Sequence, residues 1–369
     1  YRRQRQMCIR DSIYFERFVD GCSRDVRRAV VDLKEQGAKA LVIDMRGNPG
    51  GPLSEAVEVT NLFVPRGQKV VYTKGKLASV NSEHYTKKEP LDVDIPVAVL
   101  VDGSTASSAE IVSGAWQDWD RAVIVGERTY GKGLVQMIRE VPYHGSLKVT
   151  TSRYYIPSGR CIQAYDYRHL NPDGSAKTLP DSLTKAFKTA GGREVRDGGG
   201  IKPDVVITPD SLPSIVYDIA TSDVLLDYVN RYVQTHAAIA PAGDFSLTDA
   251  DYADFVKMVE ESDFTYKRRT EEMMKLLERT ARFEGCYEGA KPEFEALAAK
   301  MKGGVAADLE LPKNKEEIKS VLESDIVARY YFRRGVVQQQ LKTDKDLKTA
   351  LEILTDTERY ESLLKPVKK

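Results

Sequence analysis

The apolar positions of this chain follow two different periods. Short, almost wholly apolar runs occur at residues 40–45, 96–102 and 122–125, and each predicts a buried strand. Between these runs the apolar residues recur at helical spacing. The first such helix is predicted to start at a cap on Ser23 and to end before Gly37. Strands that alternate with helices predict an α/β fold whose sheet is covered on both faces.

The pattern changes beyond residue 133. Residues 135–141 and 147–155 alternate around the turn-forming sequence PYHG, which predicts a β-hairpin. Residues 163–200 are rich in Gly, Ser and Lys and are interpreted as a long excursion or flap. Residues 203–209 have prolines at both ends, as suits a strand at the edge of a sheet.

A division into three parts follows from these patterns. Residues 1–12 contain four arginines without apolar periodicity and are interpreted as a non-native leader. Residues 13–210 form the predicted α/β core. From about residue 211 to residue 369, Leu, Ala, Glu and Lys recur at helical spacing and no strand-like run occurs, which predicts a separate α-helical domain.

Composition excludes several functional classes. Lys plus Arg and Asp plus Glu both total 55, so no excess of positive charge favours a nucleic-acid partner. The four cysteines form no C-x-x-C pair, and we predict neither a metal site nor a cofactor. No run of about 18 apolar residues is present, so no membrane span is predicted.

Three loops rich in small residues follow the predicted strands, at residues 47–51, 103–108 and 126–133. Functional sites of open α/β sheets lie at such strand ends. Ser107 is therefore a candidate nucleophile. A serine that caps a helix explains the same position equally well, because its side chain accepts hydrogen bonds from free N–H groups.

Lys132 lies between two glycines in the third loop and is a candidate general base for Ser107. A lysine can take a proton only in its neutral form, which burial favours. Residues 126–133 also match part of a phosphate-binding P-loop. Gly133 stands where that motif needs a hydroxyl, however, and the next residues predict a strand rather than a helix, so the nucleotide-binding interpretation is disfavoured.

Four motifs occur in a fixed order: RGNPGG, GSTASSAEIVSGAWQDWDRAVIVGERTYGKGLVQ, LKVTTSRYYIPSGRCIQ and GGGIKPDV. In order and spacing they resemble the carboxyl-terminal processing, or tail-specific, peptidases. The resemblance is strong over residues 13–209. The helical part is similar to the C-terminal extension of Bacteroidetes-type members of that family.

The resemblance implies roles for three side chains. The nucleophile of the family stands three residues before the glutamate of its S-x-x-E-I segment, which here is Ser107 before Glu110. The base is the lysine of G-K-G, 25 residues later, which is Lys132. A glutamine four residues further on, Gln136, corresponds to the family's third member, which orients the lysine by a hydrogen bond.

The resemblance also implies an oxyanion hole and a fold. The backbone N–H of Ser108 would be one donor, and the N–H of Gly50 or Gly51 the other. Glycine suits this role because it lets the backbone approach closely. The implied fold is a ClpP/crotonase-like α/β core with an appended α-helical C-terminal domain.

By resemblance, the chain would be a serine endopeptidase that processes or degrades envelope proteins near their C-termini. Its partners would be polypeptides with accessible C-termini, and its location the periplasm or cell envelope of a Gram-negative bacterium. Members of the family also carry a PDZ domain, which we expect in the full-length protein. Two alternatives remain open: a catalytically silent fragment or binding protein, and an acyl-CoA enzyme of the same fold.

Overall fold

The structure is a computed structural model that describes residues 12–171, 173–208, 212–301, 304–341 and 343–366. The leader predicted over residues 1–12 lies outside the described residues except for Ser12. None of the described helices is both long and apolar enough to cross a lipid bilayer.

The chain forms two compact units. The first is Tyr1–Pro209 with Lys345–Lys369, and the second is Asp210–Asp344. The helical spacing predicted that all of residues 211–369 belong to the helical domain. The structure instead assigns residues 345–366 to the first unit, so the helical unit is inserted between two segments of that unit.

A parallel sheet forms the centre of the first unit. In spatial order its five strands are β1 (Ser12–Tyr14), β2 (Leu41–Asp44), β5 (Val97–Val101), β6 (Val123–Gly126) and β13 (Val205–Val206). The residues of β5 are all buried, which explains why this run is apolar throughout. The short β13 lies at the edge of the sheet beside β6, in agreement with the proline-flanked run predicted there.

Two helices and the returning segment pack against this sheet, and a third helix, which lies between those two in the sequence, packs against both of them. The helices are α1 (Cys22–Glu35), α2 (Leu53–Thr60) and α3 (Ser108–Asp118), and the returning segment contains α11 (Lys345–Thr355) and α12 (Thr357–Leu363). The strand residues whose side chains belong to the main hydrophobic core alternate with buried residues outside it, such as Ala98 and Leu100. Helix α11 packs against β2, β5 and β6. The sheet is therefore buried on both faces.

The start of α1 differs from the prediction. Gly21, with a φ of 82°, is the N-cap, and Ser23 lies inside the helix. The carboxylate of Glu55 accepts hydrogen bonds from the N–H groups of Gly21 and Ser23, each at 2.9 Å. The predicted Ser23 cap is wrong because a side chain from α2 satisfies these donors instead.

A second, antiparallel sheet lies in the same unit, with the order β4 (Ser82–Tyr85), β3 (Lys69–Gly75), β8 (Gly145–Tyr155) and β7 (Leu134–Val141). Strands β7 and β8 form the predicted hairpin around residues 142–144. The predicted excursion consists of two small antiparallel pairs, β9 (Tyr165–Leu170) with β10 (Ala176–Thr178), and β11 (Ala186–Lys188) with β12 (Glu194–Arg196).

The second unit is helical. Its helices are α4 (Ser214–Ala220), α5 (Asp223–Thr235), α6 (Asp249–Glu260), α7 (Arg269–Phe283), α8 (Tyr287–Met301), α9 (Val305–Leu309) and α10 (Pro312–Gln340). A core of its own includes Tyr228, Phe255, Ile318 and Leu322. The predicted mixed α/β core and the predicted helical region after it are both confirmed.

Candidate active site

Ser107 occupies a strained position at the junction between the loop after β5 and helix α3. Its backbone has φ 56° and ψ −115°, a conformation that favours glycine. It is the N-cap of α3, so the helix-cap interpretation and the nucleophile interpretation refer to the same place in the fold. A non-glycine residue held in such a conformation costs about 1–3 kcal/mol, and such residues cluster at functional sites.

The carboxylate of Asp102 organises the loop before Ser107. It accepts the N–H groups of Ser104 at 3.0 Å and Thr105 at 2.8 Å. The N–H of Gly47, in the neighbouring glycine loop, also donates to it at 3.0 Å. Asp102 therefore joins the two loops that approach each other at the end of the sheet.

The glycine loop of residues 46–51 lies directly against Ser107. The carbonyl of Asn48 accepts the N–H of Ala106 at 2.9 Å. Gly50 has a φ of 85°, and a Cβ atom added to it would lie 2.8 Å from the Cβ of Ser107. Only glycine fits here, because any side chain would collide with the candidate nucleophile.

The two candidate oxyanion glycines differ in their hydrogen bonds. The N–H of Gly50 donates to Oδ1 of Asn48 at 2.9 Å. Within the described residues, the N–H groups of Gly51 and Ser108 donate to no partner, while the Ser108 hydroxyl donates to the Gly51 carbonyl at 2.7 Å. This geometry favours Gly51 over Gly50 as the second donor.

The buried carboxylate of Glu110 connects the loops of Ser107 and Lys132. Its Oε2 accepts the N–H of Ser107 and the N–H of Lys132, both at 2.9 Å. Its Oε1 accepts the Thr129 hydroxyl at 2.5 Å and the Gly131 N–H at 2.7 Å. Burial raises the pKa of Glu110, and these four hydrogen bonds oppose that rise because each stabilises the ionised form.

Ser107 and Lys132 line one open cleft of about 400 Å³. Apolar side chains contribute part of its wall: Leu53, Ile111, Leu134, Val135 and Tyr154. Lys132 is half-buried. In the described part of the chain no hydrogen bond joins the Ser107 hydroxyl to the Lys132 amine.

Gln136 lines the same cleft from β7, next to a register shift between Val135 and Gln136. Its side chain is exposed, and among the described contacts none joins it to Lys132. Strand β7 begins at Leu134, directly after the G-K-G segment. A P-loop needs a helix at that point, so the structure excludes the nucleotide-binding interpretation.

Two residues that support the loop of Lys132 were not predicted from the sequence. Gln163 accepts the N–H of Gly133 at 2.8 Å and donates to the Tyr165 carbonyl at 2.9 Å. Glu110 was noted only as part of a motif. Its importance could have been inferred because it is the single acidic residue among the small and apolar residues 106–116.

Metal chemistry has no candidate among the described residues, because no three His, Cys, Asp or Glu side chains there form a group that could hold an ion. The four histidines also lie outside the cleft lining. The site therefore consists of a hydroxyl, an amine, backbone donors and a buried carboxylate. Such a set can support acyl transfer by a Ser/Lys mechanism.

Replacing Glu110 with glutamine is expected to lower the free energy of unfolding by about 2–5 kcal/mol, because an amide group would face donors that now share a carboxylate oxygen. Urea denaturation measures the change. Glu194→Gln is the matched control, since Glu194 forms a surface ion pair with Arg196 at 3.2 Å and is expected to cost under about 0.5 kcal/mol. Equal stability of the two variants would contradict the structural role of Glu110.

Two parts of this chain match known protein families. Residues 12–176 match "Peptidase family S41", and residues 215–354 match "Probable PDZ-protease, C-terminal helical domain". The second match extends into α11, which the structure assigns to the first unit. The resemblance to carboxyl-terminal processing peptidases that the motifs predicted is confirmed.

Individual proteins are similar in sequence to this chain over part of their length. A carboxy-terminal-processing protease of Bartonella bacilliformis is 35% identical over 184 residues, which are 48% of this chain and 42% of that protein. A probable CtpA-like serine protease of Staphylococcus aureus is 34% identical over 186 residues, 48% of this chain and 36% of that protein. The chain thus spans less than half the length of these relatives.

One solved structure, of a photosystem II D1 C-terminal processing protease, is also similar. It is 27% identical in sequence, with a TM-score of 0.41. The alignment covers 55% of this chain and 43% of that one.

Proposed function

We propose, on the premise that residues 12–176 belong to peptidase family S41, that this chain acts as a serine endopeptidase that cuts proteins near their C-termini. Ser107 would be the nucleophile and Lys132 the general base. One observation carries the assignment: a single oxygen of Glu110 accepts the backbone N–H of both residues at 2.9 Å. This arrangement supports a Ser/Lys dyad because it fixes the loops of Ser107 and Lys132 relative to each other beside a common cleft.

The reaction would be acyl transfer. The Ser107 hydroxyl attacks the carbonyl carbon of the scissile peptide bond while the neutral Lys132 amine takes its proton. The oxyanion that forms is stabilised by the N–H groups of Ser108 and Gly51. When the C–N bond breaks, the leaving amine takes the proton from Lys132, and water then hydrolyses the acyl-enzyme.

Gln136 would orient the lysine amine by accepting a hydrogen bond from it through the side-chain oxygen. Its place on the wall of the cleft supports this role. Because the side chain is exposed, the hydrogen bond requires it to turn inward when substrate fills the cleft. The role of Gln136 stays a prediction.

The substrates would be polypeptides with accessible C-termini, in the periplasm or cell envelope. The two relatives, a carboxy-terminal-processing protease and a probable CtpA-like serine protease, support the reaction class. A PDZ domain in the full-length protein would capture the free C-terminus by strand addition. The cleft itself offers apolar side chains and two lysines, Lys132 and Lys148, to the bound segment.

Cleavage of an unfolded protein tests the proposal. The full-length protein, with the expected PDZ domain, is incubated with a reduced, unfolded substrate that carries either a free or an amidated C-terminus, and mass spectrometry identifies the new chain ends. We expect fragments whose new ends lie near the C-terminus, and fewer of them from the amidated substrate. Binding of the substrate without fragments would contradict the peptidase assignment and favour a silent binding protein.

A further inference from the structure

We propose that Asp346, in the first turn of α11, is a positioning residue for the glycine loop and acts through Arg46. The functional consequence rests on the proposed function, since that loop would supply an oxyanion donor. The placement itself rests only on contacts within the first unit. It gives the C-terminal segment of the chain a part in the geometry of the active site.

Helix α11 is firmly seated on the central sheet. Its residues Leu347, Ala350 and Ile353 are buried. Further along the segment, the Tyr360 hydroxyl accepts the N–H of Val97, in β5, at 3.0 Å. Because this helix is held by apolar burial as well as by a hydrogen bond, a side chain in its first turn has a defined position relative to the strand ends.

Arg46, the first residue of the glycine loop, lies between two carboxylates. Its Nε and Nη2 donate to Oδ1 and Oδ2 of Asp44 at 3.0 and 2.6 Å. Its Nη1 donates to Oδ2 of Asp346 at 3.2 Å. The three side chains are only 13–24% exposed, so solvent screens these ion pairs less than surface pairs.

The two carboxylates hold the guanidinium from different elements. Asp44 is two residues away in the chain, so its ion pair leaves the loop free to move together with the end of β2. Asp346 is 300 residues away and belongs to a helix packed against the sheet. The second ion pair therefore fixes the start of the loop to an independent support.

The rest of the loop is short and connects Arg46 to the nucleophile. The Gly47 N–H donates to Asp102, and the Asn48 carbonyl accepts the Ala106 N–H. Gly50 then packs against Ser107 without room for a Cβ atom. A shift at Arg46 would be passed to the oxyanion donors, and misplacement by about 1 Å can cost up to about 100-fold in rate.

Kinetics of Asp346→Ala in the full chain test this role. We expect kcat to fall about 3- to 10-fold while KM changes by less than about twofold, because the loop acts on the transition state rather than on substrate capture. In an Arg46→Ala background the same substitution is expected to have no further effect. Glu361→Ala is the matched control, since Glu361 is an acid of the same segment that forms an exposed pair with Lys365.

Hydrogen exchange gives a readout that does not depend on activity. Asp346→Ala is expected to raise exchange about tenfold for the hydrogen-bonded amides of the loop, with little change in the buried strand Val97–Val101. These are the amides of Arg46, Gly47, Asn48 and Gly50. If the wild-type chain cuts nothing, the proposed function fails, but this measurement still decides the positioning role. Unchanged exchange in the loop, or kcat losses of Asp346→Ala and Arg46→Ala that add independently, would overturn the inference.

Discussion

Ser107→Ala is expected to abolish cleavage of unfolded proteins, with kcat/KM reduced at least about 10³-fold. Alanine removes the hydroxyl that would attack the peptide carbonyl and leaves the oxyanion donors in place. The variant and the wild type are compared by the initial rate of fragment formation. Mass spectrometry of the intact chain also shows whether a serine-reactive phosphonate still attaches to it.

Ser104→Ala is the matched control, because Ser104 is an exposed serine of the same loop that does not line the cleft. It is expected to keep full activity. Alanine at position 107 bears the same backbone strain as serine but lacks the hydroxyl at the N-cap of α3, so Ser107→Ala should lose no more than about 0.5–2 kcal/mol of stability and stay folded. Ser107→Gly should be more stable than Ser107→Ala by up to about 1–3 kcal/mol and equally inactive, since glycine adopts φ 56° without strain. Cleavage by Ser107→Ala at the wild-type rate would rule out Ser107 as the nucleophile.

Lys132→Met is expected to reduce kcat/KM by about 10³-fold, because methionine keeps an unbranched stem but cannot take the Ser107 proton. The phosphonate should also label Ser107 more slowly. Stopped assays of fragment formation and of phosphonate labelling measure both effects.

Lys148→Met distinguishes proton transfer by Lys132 from the effect of the positive charge of the cleft. Lys148, in β8, lines the same cleft and carries the same charge. We expect its loss to change KM for charged substrates and to leave the acylation rate nearly unchanged. An equal fall in kcat for both lysine variants would mean that the positive charge of the cleft, not proton transfer by Lys132, supports the reaction.

The strands of the core and the dyad candidates were predictable because their signals are local. A buried strand must be apolar over its whole length, as Val97–Val101 is, and a tight loop beside a nucleophile must use glycine, as at Gly50. Ser107 and Lys132 were identified from motif spacing, and the structure places both on one cleft. The ClpP/crotonase-like description and the role of Gln136 remain predictions.

Other features could not be predicted because they depend on contacts between distant residues. The sequence left Gly50 and Gly51 equivalent, and the Asn48 side chain distinguishes them by taking the Gly50 N–H. Ser23 is a residue type that often caps helices, yet the side chain of Glu55, from another helix, accepts the free N–H groups there. No periodicity indicates which partner will satisfy a given backbone group when several are in reach.

The sequence by itself determined the two classes of secondary structure, their order along the chain and the candidate residues for the chemistry. Only the tertiary structure decided that residues 345–366 return to the sheet and that one oxygen of Glu110 accepts the N–H groups of Ser107 and Lys132. The physical reason is the range of the interactions involved. Periodicity and turn chemistry act within a few residues. A buried carboxylate instead needs hydrogen-bond donors, and an uncovered sheet face needs apolar residues, and both can come from residues that are distant in the sequence.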